Sequence, residues 1–362
     1  MEKKIVKLGL LGCGGRGTGV VAEVLDHENL QLCALCDINP ERLEKAKARF
    51  EKEGVKDIQC FTDMEAFLAS DINTVYVATD ATLHTDHAIA ALNAGKHVLS
   101  EVPAIDSLDQ AKKLKEVVAA HPNQKYMFGE NACFNAYILT AKRMFEDGRL
   151  GQIVYADAEY LHGGDITDPE HGDNIMNVGW RKTYDSIKYL THDLGRLLFI
   201  TGDKVTRVTC FEPTVRYYPD KTGSENGVAL FTTESGAVYR ILICFGAFVG
   251  FEHNLVLYGT RGTLETDRVR PNRDYSLYGK FADIPGTFSD KLHIPVGAKY
   301  HGEQGGGHGG CDRKMMQAFI KCIVEDTKPP IDVDMGIQMS IPGILAHESA
   351  INGGMPIDIP QF

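Results

Sequence analysis

Ile5-Val6-Lys7-Leu8-Gly9-Leu10-Leu11-Gly12-Cys13-Gly14-Gly15-Arg16-Gly17 decides the fold of this chain. An apolar strand pattern ends in a glycine turn of the form GxGxxG, and a helix pattern follows over Val20–Leu25. A second apolar run, Leu30–Cys36, ends at Asp37, twenty residues beyond Gly17. Glycines at these spacings permit a tight turn and let the backbone approach a pyrophosphate at a helix N-terminus. An acidic residue at that distance accepts hydrogen bonds from the adenine-ribose hydroxyls. Gly12, Gly14, Gly15, Arg16, Gly17 and Asp37 therefore form the expected dinucleotide site. The Asp37 carboxylate repels a 2′-phosphate and favours NAD over NADP, although Arg42 lies close by in sequence.

Strand and helix patterns alternate onward from the turn. Pro40–Gly54 reads as a charged helix with proline at its start and glycine at its end. Asp57–Phe61, Thr74–Ala78 and His97–Ser100 read as strands, with helices Met64–Ala69, capped by Asp63, and Leu83–Ala94 between them. Repeated βα units of this length imply an α/β domain with a doubly wound parallel sheet, a Rossmann fold. Beyond about residue 120 the pattern changes. Long runs rich in β-branched and aromatic residues appear at Ile153–His162, Val205–Tyr217, Val228–Thr233, Ala237–Phe245 and Asn254–Tyr258. They predict an open, mostly antiparallel sheet in a C-terminal α+β domain. Helices are expected near Ser186–Ile200, Cys311–Asp326 and Met335–Asn352. The division is drawn as 1–122, the NAD-binding domain, and 123–362, a substrate-binding and oligomerisation domain. The C-terminal helices are free to pack back on the first domain.

Composition excludes several classes of function. Charged residues make up 24% and hydrophobic ones 43%, as in an ordinary globular protein, and the net charge of -11 argues against nucleic-acid or membrane-surface binding. No apolar run approaches a membrane span, and no signal-peptide pattern precedes the first strand, so cytoplasmic residence is expected. Cys33 and Cys36 have CxxC spacing, but residues three apart on a strand face opposite ways. Buried free thiols are the simpler reading of the nine cysteines.

The stretches Val75-Tyr76-Val77-Ala78-Thr79, His84, and Ala91-Leu92-Asn93-Ala94-Gly95-Lys96-His97-Val98-Leu99-Ser100-Glu101-Val102-Pro103-Ala104 resemble the glucose-fructose oxidoreductase / inositol dehydrogenase / MocA family. The resemblance implies an N-terminal Rossmann domain and a C-terminal domain whose open sheet carries the substrate site. Thr79, His84 and Glu101 then join the cofactor-binding residues, although His84 has the alternative of simply stabilising its turn. In dehydrogenases of this family the middle residue of Glu-x-Pro is usually a lysine; here it is Val102. An Asp is usual four residues before the helix histidine, and another three after it; around His192 these positions are Lys188 and Gly195. Such departures resemble a narrower branch, the NAD-dependent glycosidases of glycoside hydrolase family 109. Glu130-Asn131-Ala132-Cys133, Tyr189-Leu190-Thr191-His192 and Gly306-Gly307-His308-Gly309-Gly310-Cys311-Asp312 carry that likeness.

In that branch NAD oxidises a sugar hydroxyl transiently, the neighbouring C2–H is removed, the C1 substituent leaves, water adds and the hydride returns. The resemblance thus implies glycoside cleavage with tightly bound, recycled NAD. The alternatives are a simple sugar or polyol dehydrogenase and a non-catalytic NAD-binding sensor. Tyr189 and His192, spaced i, i+3, are expected to lie on one helical face and to meet one substrate. Proton transfer by a tyrosine needs a lowered pKa, for which Lys188 or His192 is the candidate source. The bland alternative is that Tyr189 packs and His192 bonds the backbone. His308, in its glycine run, is the third catalytic candidate; the run itself reads as a mobile loop over a site, and a solvated loop-tip histidine is its alternative. Asn131, Lys188, Trp180 and Arg181 are the substrate-binding candidates, the tryptophan because aromatic faces stack on sugar C–H faces. Core packing is the other role open to Trp180. His162, Asp165, Asp168, His171 and Asp173 cluster in sequence, but their spacing fits no metal-ligand pattern, and no metal is expected. A homo-oligomer, dimer or tetramer, is expected from the open sheet.

Overall fold

The computed structural model describes residues 4–164, 179–268, 276–296 and 307–362. It divides into two compact units, Met1–Asn131 with Gly306–Ile337, and Ala132–Gly305 with Gln338–Phe362.

The first unit is built on six strands: β1 (Val6–Leu11), β2 (Leu30–Cys36), β3 (Gln59–Phe61), β4 (Thr74–Val77), β5 (His97–Ser100) and β6 (Tyr126–Phe128). Their order in the sheet is β3-β2-β1-β4-β5-β6, and every pairing is parallel. This is the doubly wound Rossmann arrangement, whose ligand crevice lies at the carboxyl ends of the strands, where the order reverses between β1 and β4. Burial on both faces explains the continuous apolar runs: all four residues of β4 are buried. The connecting helices are α1 (Gly15–Ala22), α2 (Pro40–Lys52), α3 (Met64–Ala69), α4 (His84–Asn93) and α5 (Leu108–Ala120). Local chemistry sets their starts. Asn39 accepts from the backbone N–H groups of Glu41 and Arg42 with Pro40 at the first helical position, and Asp63 accepts from the N–H of Ala66 at 2.8 Å. α1 begins inside the glycine turn, at Gly15, rather than at Val20 as the apolar pattern implied. The small residues at its start hide its periodicity.

In the second unit, α6 (Ala136–Glu146) and α7 (Thr191–Thr201) accompany β7 (Ile153–His162), β8 (Val205–Phe211), β9 (Asn226–Thr233), β10 (Val238–Cys244), β11 (Phe251–Gly259), β12 (Gly262–Thr266), β13 (Leu277–Phe281), β14 (Leu292–Ile294) and β15 (Ile357–Asp358). The sheet order is β14-β13-β12-β11-β7-β10-β9-β8-β15. Only the β7–β10 pair is parallel. β8 stops at Phe211 rather than near Tyr217, because Pro213 cannot donate to a ladder. Two further helices, α8 (Cys311–Val324) and α9 (Val333–Ile351), close the chain, and the division between units falls inside α9.

The helix expected at Ser186–Ile200 is two elements: a 3-10 turn, Ser186–Tyr189, and then α7. Two glycines let other elements approach closely there. A Cβ on Gly343 would lie 2.9 Å from the Lys188 Cα, and one on Gly227 would lie 2.9 Å from the Ile187 side chain. Asp165, Asp168, His171 and Asp173 lie outside the described residues, as does most of the glycine run before His308. Among the described residues no three His, Cys, Asp or Glu side chains gather as a metal site, and no helix is long and apolar enough to cross a membrane.

Candidate active site

The glycine turn in the first unit shows three different uses of glycine. Gly12 has a φ of +97°, and a Cβ there would lie 2.5 Å from the Ala78 carbonyl oxygen. A Cβ on Gly17 would lie 2.4 Å from the Gly12 oxygen, so this glycine lets α1 pack on the turn. On Gly14 or Gly15 a Cβ would meet nothing within 4 Å. The space above Gly14 and Gly15 is thus open to a ligand, as a pyrophosphate requires. Asp37 is buried at the end of β2. One oxygen accepts from the Cys13 N–H at 2.8 Å and the other from the Asn39 N–H at 2.8 Å. These bonds aim the carboxylate at the turn while leaving it lone pairs for a ribose diol. The residues present fit an NAD molecule.

Arg16 points into the protein. Its Nε donates to Glu101 at 2.9 Å, and its Nη1 donates to both oxygens of Asp312 at 2.8 Å. Glu101 also accepts from the Tyr76 hydroxyl, and Asp312 accepts from the Asn131 amide at 2.7 Å. The His308 Nδ1 lies 2.8 Å from Asp312 and 3.4 Å from Arg16. Burial pushes the Asp312 carboxyl up, but the Arg16 charge and the bonds from His308 and Asn131 hold it down, to about 2. Four of the nominated residues, Arg16, Glu101, Asn131 and His308, are therefore brought together, around a residue that was not nominated. His308 has a left-handed backbone, with φ 53°, between glycines, and its side chain is half-exposed. Thr79 meets the His87 ring through its hydroxyl at 2.9 Å, and its carbonyl lies 2.9 Å from His84 Nε2. The other His84 nitrogen is 3.0 Å from the Pro103 carbonyl. Buried His84 thus ties the loop after β4 to the loop after β5. Val102, next to Pro103 in sequence, is buried and offers no proton.

The second unit gathers aromatic rings and histidines between α7 and one face of the sheet. Alternation along β7 puts Tyr160 and His162 on the same face. Tyr160 stacks on His253 of β11 at 4.2 Å between centroids and meets His192 of α7 edge-on at 5.4 Å. Tyr189 meets His192 edge-on at 5.2 Å. Tyr189 and His192 therefore do adjoin, but across the junction between the 3-10 turn and α7 rather than along one helical face. His162 packs against Phe251 at 4.9 Å. Beneath this cluster Asp193 and Arg196 are fully buried and paired, Arg196 donates to the Tyr137 hydroxyl at 2.6 Å, and the His253 Nδ1 is 3.6 Å from Asp193.

A small, open recess lies beside Tyr189, lined also by Trp180, Arg181, Tyr184, Ser186, Lys221 and Phe245. Trp180 is edge-on to Tyr184 at 5.2 Å, and the Arg181 guanidinium covers the indole at 4.4 Å. Lys188 turns to Asp185 at 3.3 Å and lies over the Tyr184 ring at 5.6 Å. Sequence reasoning missed Lys221, Asp193, Asp312, Tyr160 and His253. The two strand residues carry a period-two signal, but which strands are neighbours is set by the sheet order. Asp312 closes the glycine–histidine motif, four residues after His308, but was given no role there, and Lys221 and Asp193 show no local signal.

Three family models match the chain. Residues 6–129 match the oxidoreductase family with an NAD-binding Rossmann fold, Gfo/Idh/MocA, residues 138–265 match the Gfo/Idh/MocA C-terminal domain, and residues 253–362 match the glycosyl hydrolase 109 C-terminal domain. A glycosyl hydrolase family 109 protein of Bacteroides thetaiotaomicron is 27% identical over 412 residues, which cover 99% of this chain and 84% of that protein. Among solved structures, a levoglucosan dehydrogenase in complex with NADH superposes with a TM-score of 0.84 at 21% identity, covering 99% of this chain and 100% of that one. The scyllo-inositol dehydrogenase of Lactobacillus casei, with NAD(H) and scyllo-inositol, gives a TM-score of 0.78 at 20% identity, covering 98% and 99%. These two share the fold. The chain is an NAD-binding enzyme that belongs to the Gfo/Idh/MocA oxidoreductase family, with a C-terminal domain of the glycosyl hydrolase 109 type.

Proposed function

We propose that this enzyme cleaves a glycoside by transient oxidation and elimination, keeping NAD tightly bound and recycling it. NAD, when bound, accepts a hydride from a sugar carbon and later returns it. The glycine turn and Asp37 hold the pyrophosphate and ribose; Glu101, Arg16 and Asp312 keep that turn rigid. The task of the protein is otherwise proton transfer. Once C3 of the sugar carries a carbonyl, the neighbouring C2–H is acidic. A base must take it, and an acid must protonate the departing C1 oxygen. Tyr189 and His192 are assigned these two tasks, and Trp180 and Arg181 the sugar face. The observation that carries the reading is the edge-on Tyr189–His192 pair at 5.2 Å, in a chain whose Glu-x-Pro position holds Val102.

The competing reading is a plain sugar or polyol dehydrogenase, favoured by the activities named for the two solved neighbours. Purified protein incubated with aryl glycosides separates the two. Release of the aglycone without net NADH supports cleavage. Stoichiometric NADH from free sugar or polyol establishes the dehydrogenase, and neither event with any substrate leaves an NAD-binding sensor.

Two further features belong to this reading. None of the nine cysteines is joined in a disulfide, which suits a cytoplasmic setting. One face of the nine-stranded sheet presents Phe211, Leu230, Val238 and Tyr258 to solvent in a common register, around an Arg240–Asp157–Glu159 ion cluster. An apolar sheet face of this kind favours pairing with a second copy. Light scattering that reports a monomer at micromolar concentration counts against it.

A further inference from the structure

The recess beside Tyr189 carries positive charge that proton transfer does not use. Arg181 and Lys221 both line it, and among the described residues no carboxylate does. Lys221 is buried, and its ammonium donates to the carbonyl oxygens of Tyr184, at 3.0 Å, and Arg181. Burial pushes its pKa down, to about 8, against the pull of Asp185 and Glu225 and with the push of Arg216 and Arg181. Those two carboxylates are committed elsewhere. Asp185 pairs with Lys188 and His347, each at 3.3 Å, and Glu225 accepts from the N–H groups of Tyr217 and Tyr218 at 2.7 and 3.2 Å.

Among the described residues, Arg181 has no carboxylate partner. Its guanidinium lies over the Trp180 ring, with the Tyr189 ring at 6.0 Å. Its Nε is shielded from water and has no hydrogen-bond partner among the described residues. Stacking covers one face of a guanidinium and leaves its N–H edge free, and that planar fork matches a carboxylate. A shielded cation with no counterion among the described residues favours an anion arriving with the ligand, which gains more there than it would in water.

We propose that this recess selects a sugar bearing an anionic substituent, a carboxylate as in a uronic acid residue, held by the edge of Arg181 with Lys221 as the second cation. The inference deepens the carbohydrate reading above and rests on it. Trp180 is the only tryptophan of the chain, so its emission reports on the recess directly. NAD-loaded protein is titrated with matched pairs, galacturonic acid against galactose and glucuronic acid against glucose, and with a sulfated sugar against its parent. Calorimetry repeats each titration without relying on the indole.

The uronate of a pair is expected to bind at least about tenfold more tightly than the neutral sugar, with the gap shrinking as salt rises. Arg181→Gln should erase the gap between uronate and neutral sugar, whatever it does to the binding of both, while Arg181→Lys retains part of it. A sulfated sugar bound as well as the uronate identifies charge, rather than the planar carboxylate, as what is recognised, and upholds the anion site. Equal binding of uronate and neutral sugar, or a preference that survives Arg181→Gln, overturns the inference and leaves the carbohydrate reading standing. If no sugar of either kind binds by fluorescence or heat, both fall together.

Discussion

The glycine turn and the aromatic–histidine cluster are built by opposite means. The turn is six consecutive residues, Gly12 to Gly17, four of them glycine, and its backbone does the work. The cluster draws Tyr160 and His162 from β7, His253 from β11, His192 from α7, and Tyr189 from a 3-10 turn, and side chains do all of its work. A site made of backbone is local and legible. A site made of side chains is assembled by sheet order, so its membership is fixed only after the chain has folded.

The sharpest way to break this comparison is at Tyr189 and His192. If the cluster transfers protons and the turn only holds NAD, then Tyr189→Phe or His192→Ala should lower glycoside cleavage by roughly two to four orders of magnitude, the usual weight of a positioned acid or base. NAD affinity should barely move. Deuterium from solvent should enter C2 of the sugar with the native protein and be lost with the base. Full activity in both variants, or no deuterium at C2, removes the cluster from the chemistry.

Two glycines of the turn test whether its parts can be told apart. Gly17→Ala places a Cβ 2.4 Å from the Gly12 oxygen, backbone that cannot swing away. It should destabilise the first unit by about 1–3 kcal/mol and weaken NAD binding with it. Gly14→Ala meets nothing in the protein and keeps an ordinary φ of -69°. It should leave the melting temperature nearly unchanged and still weaken NAD. A Gly14→Ala protein that binds NAD normally would mean the pyrophosphate does not lie there.

The parallel sheet and its cofactor turn were legible because strand, glycine turn and acidic residue lie in one short span with fixed spacing. The Asp63 cap was legible for the same reason. The break before α7 was not: it lies where Gly227 and Gly343, on remote elements, come close to Ile187 and Lys188. Arg16 illustrates the same limit inside the legible motif. Its place in the turn put it among the expected dinucleotide-binding residues, but its partners are Glu101, 85 residues away, and Asp312, 296 residues away. Lys221 stands in no motif, and only the fold shows that it lines the recess with Arg181.

Asp312 offers a test of that hidden network. Its folded pKa, about 2, lies below the ordinary 3.8. The unfolded chain therefore binds the proton more readily. The carboxylate contributes stability that is fully present above pH 4 and is lost as pH falls through 4 toward 2. Asp312→Asn should cost about 2 kcal/mol at neutral pH and flatten the acid limb of the unfolding curve over that window. Denaturant titrations at a series of pH values measure both. An unchanged acid limb would mean that Arg16 and His308 do not hold the carboxylate as drawn.

The smallest effect is expected at Asp37, where backbone and side chain share the work. Its two oxygens already accept from Cys13 and Asn39, each at 2.8 Å, so the residue both orders the turn and offers charge to the ribose. Asp37→Ala removes both roles and should weaken NAD by about tenfold or more, one bidentate charged contact being worth about 1–3 kcal/mol. Asp37→Asn removes the charge but keeps one acceptor oxygen for the turn. It should therefore retain most of the thermal stability that the alanine variant loses. The two variants should nevertheless agree in one respect: the preference for NAD over NADP should narrow equally in both, because that preference comes from repulsion between the carboxylate and a 2′-phosphate. Calorimetric titration with each dinucleotide gives the comparison. A native protein that binds NADP as tightly as NAD would show that Asp37 serves the turn alone, and that the ribose is held by something other than the end of β2.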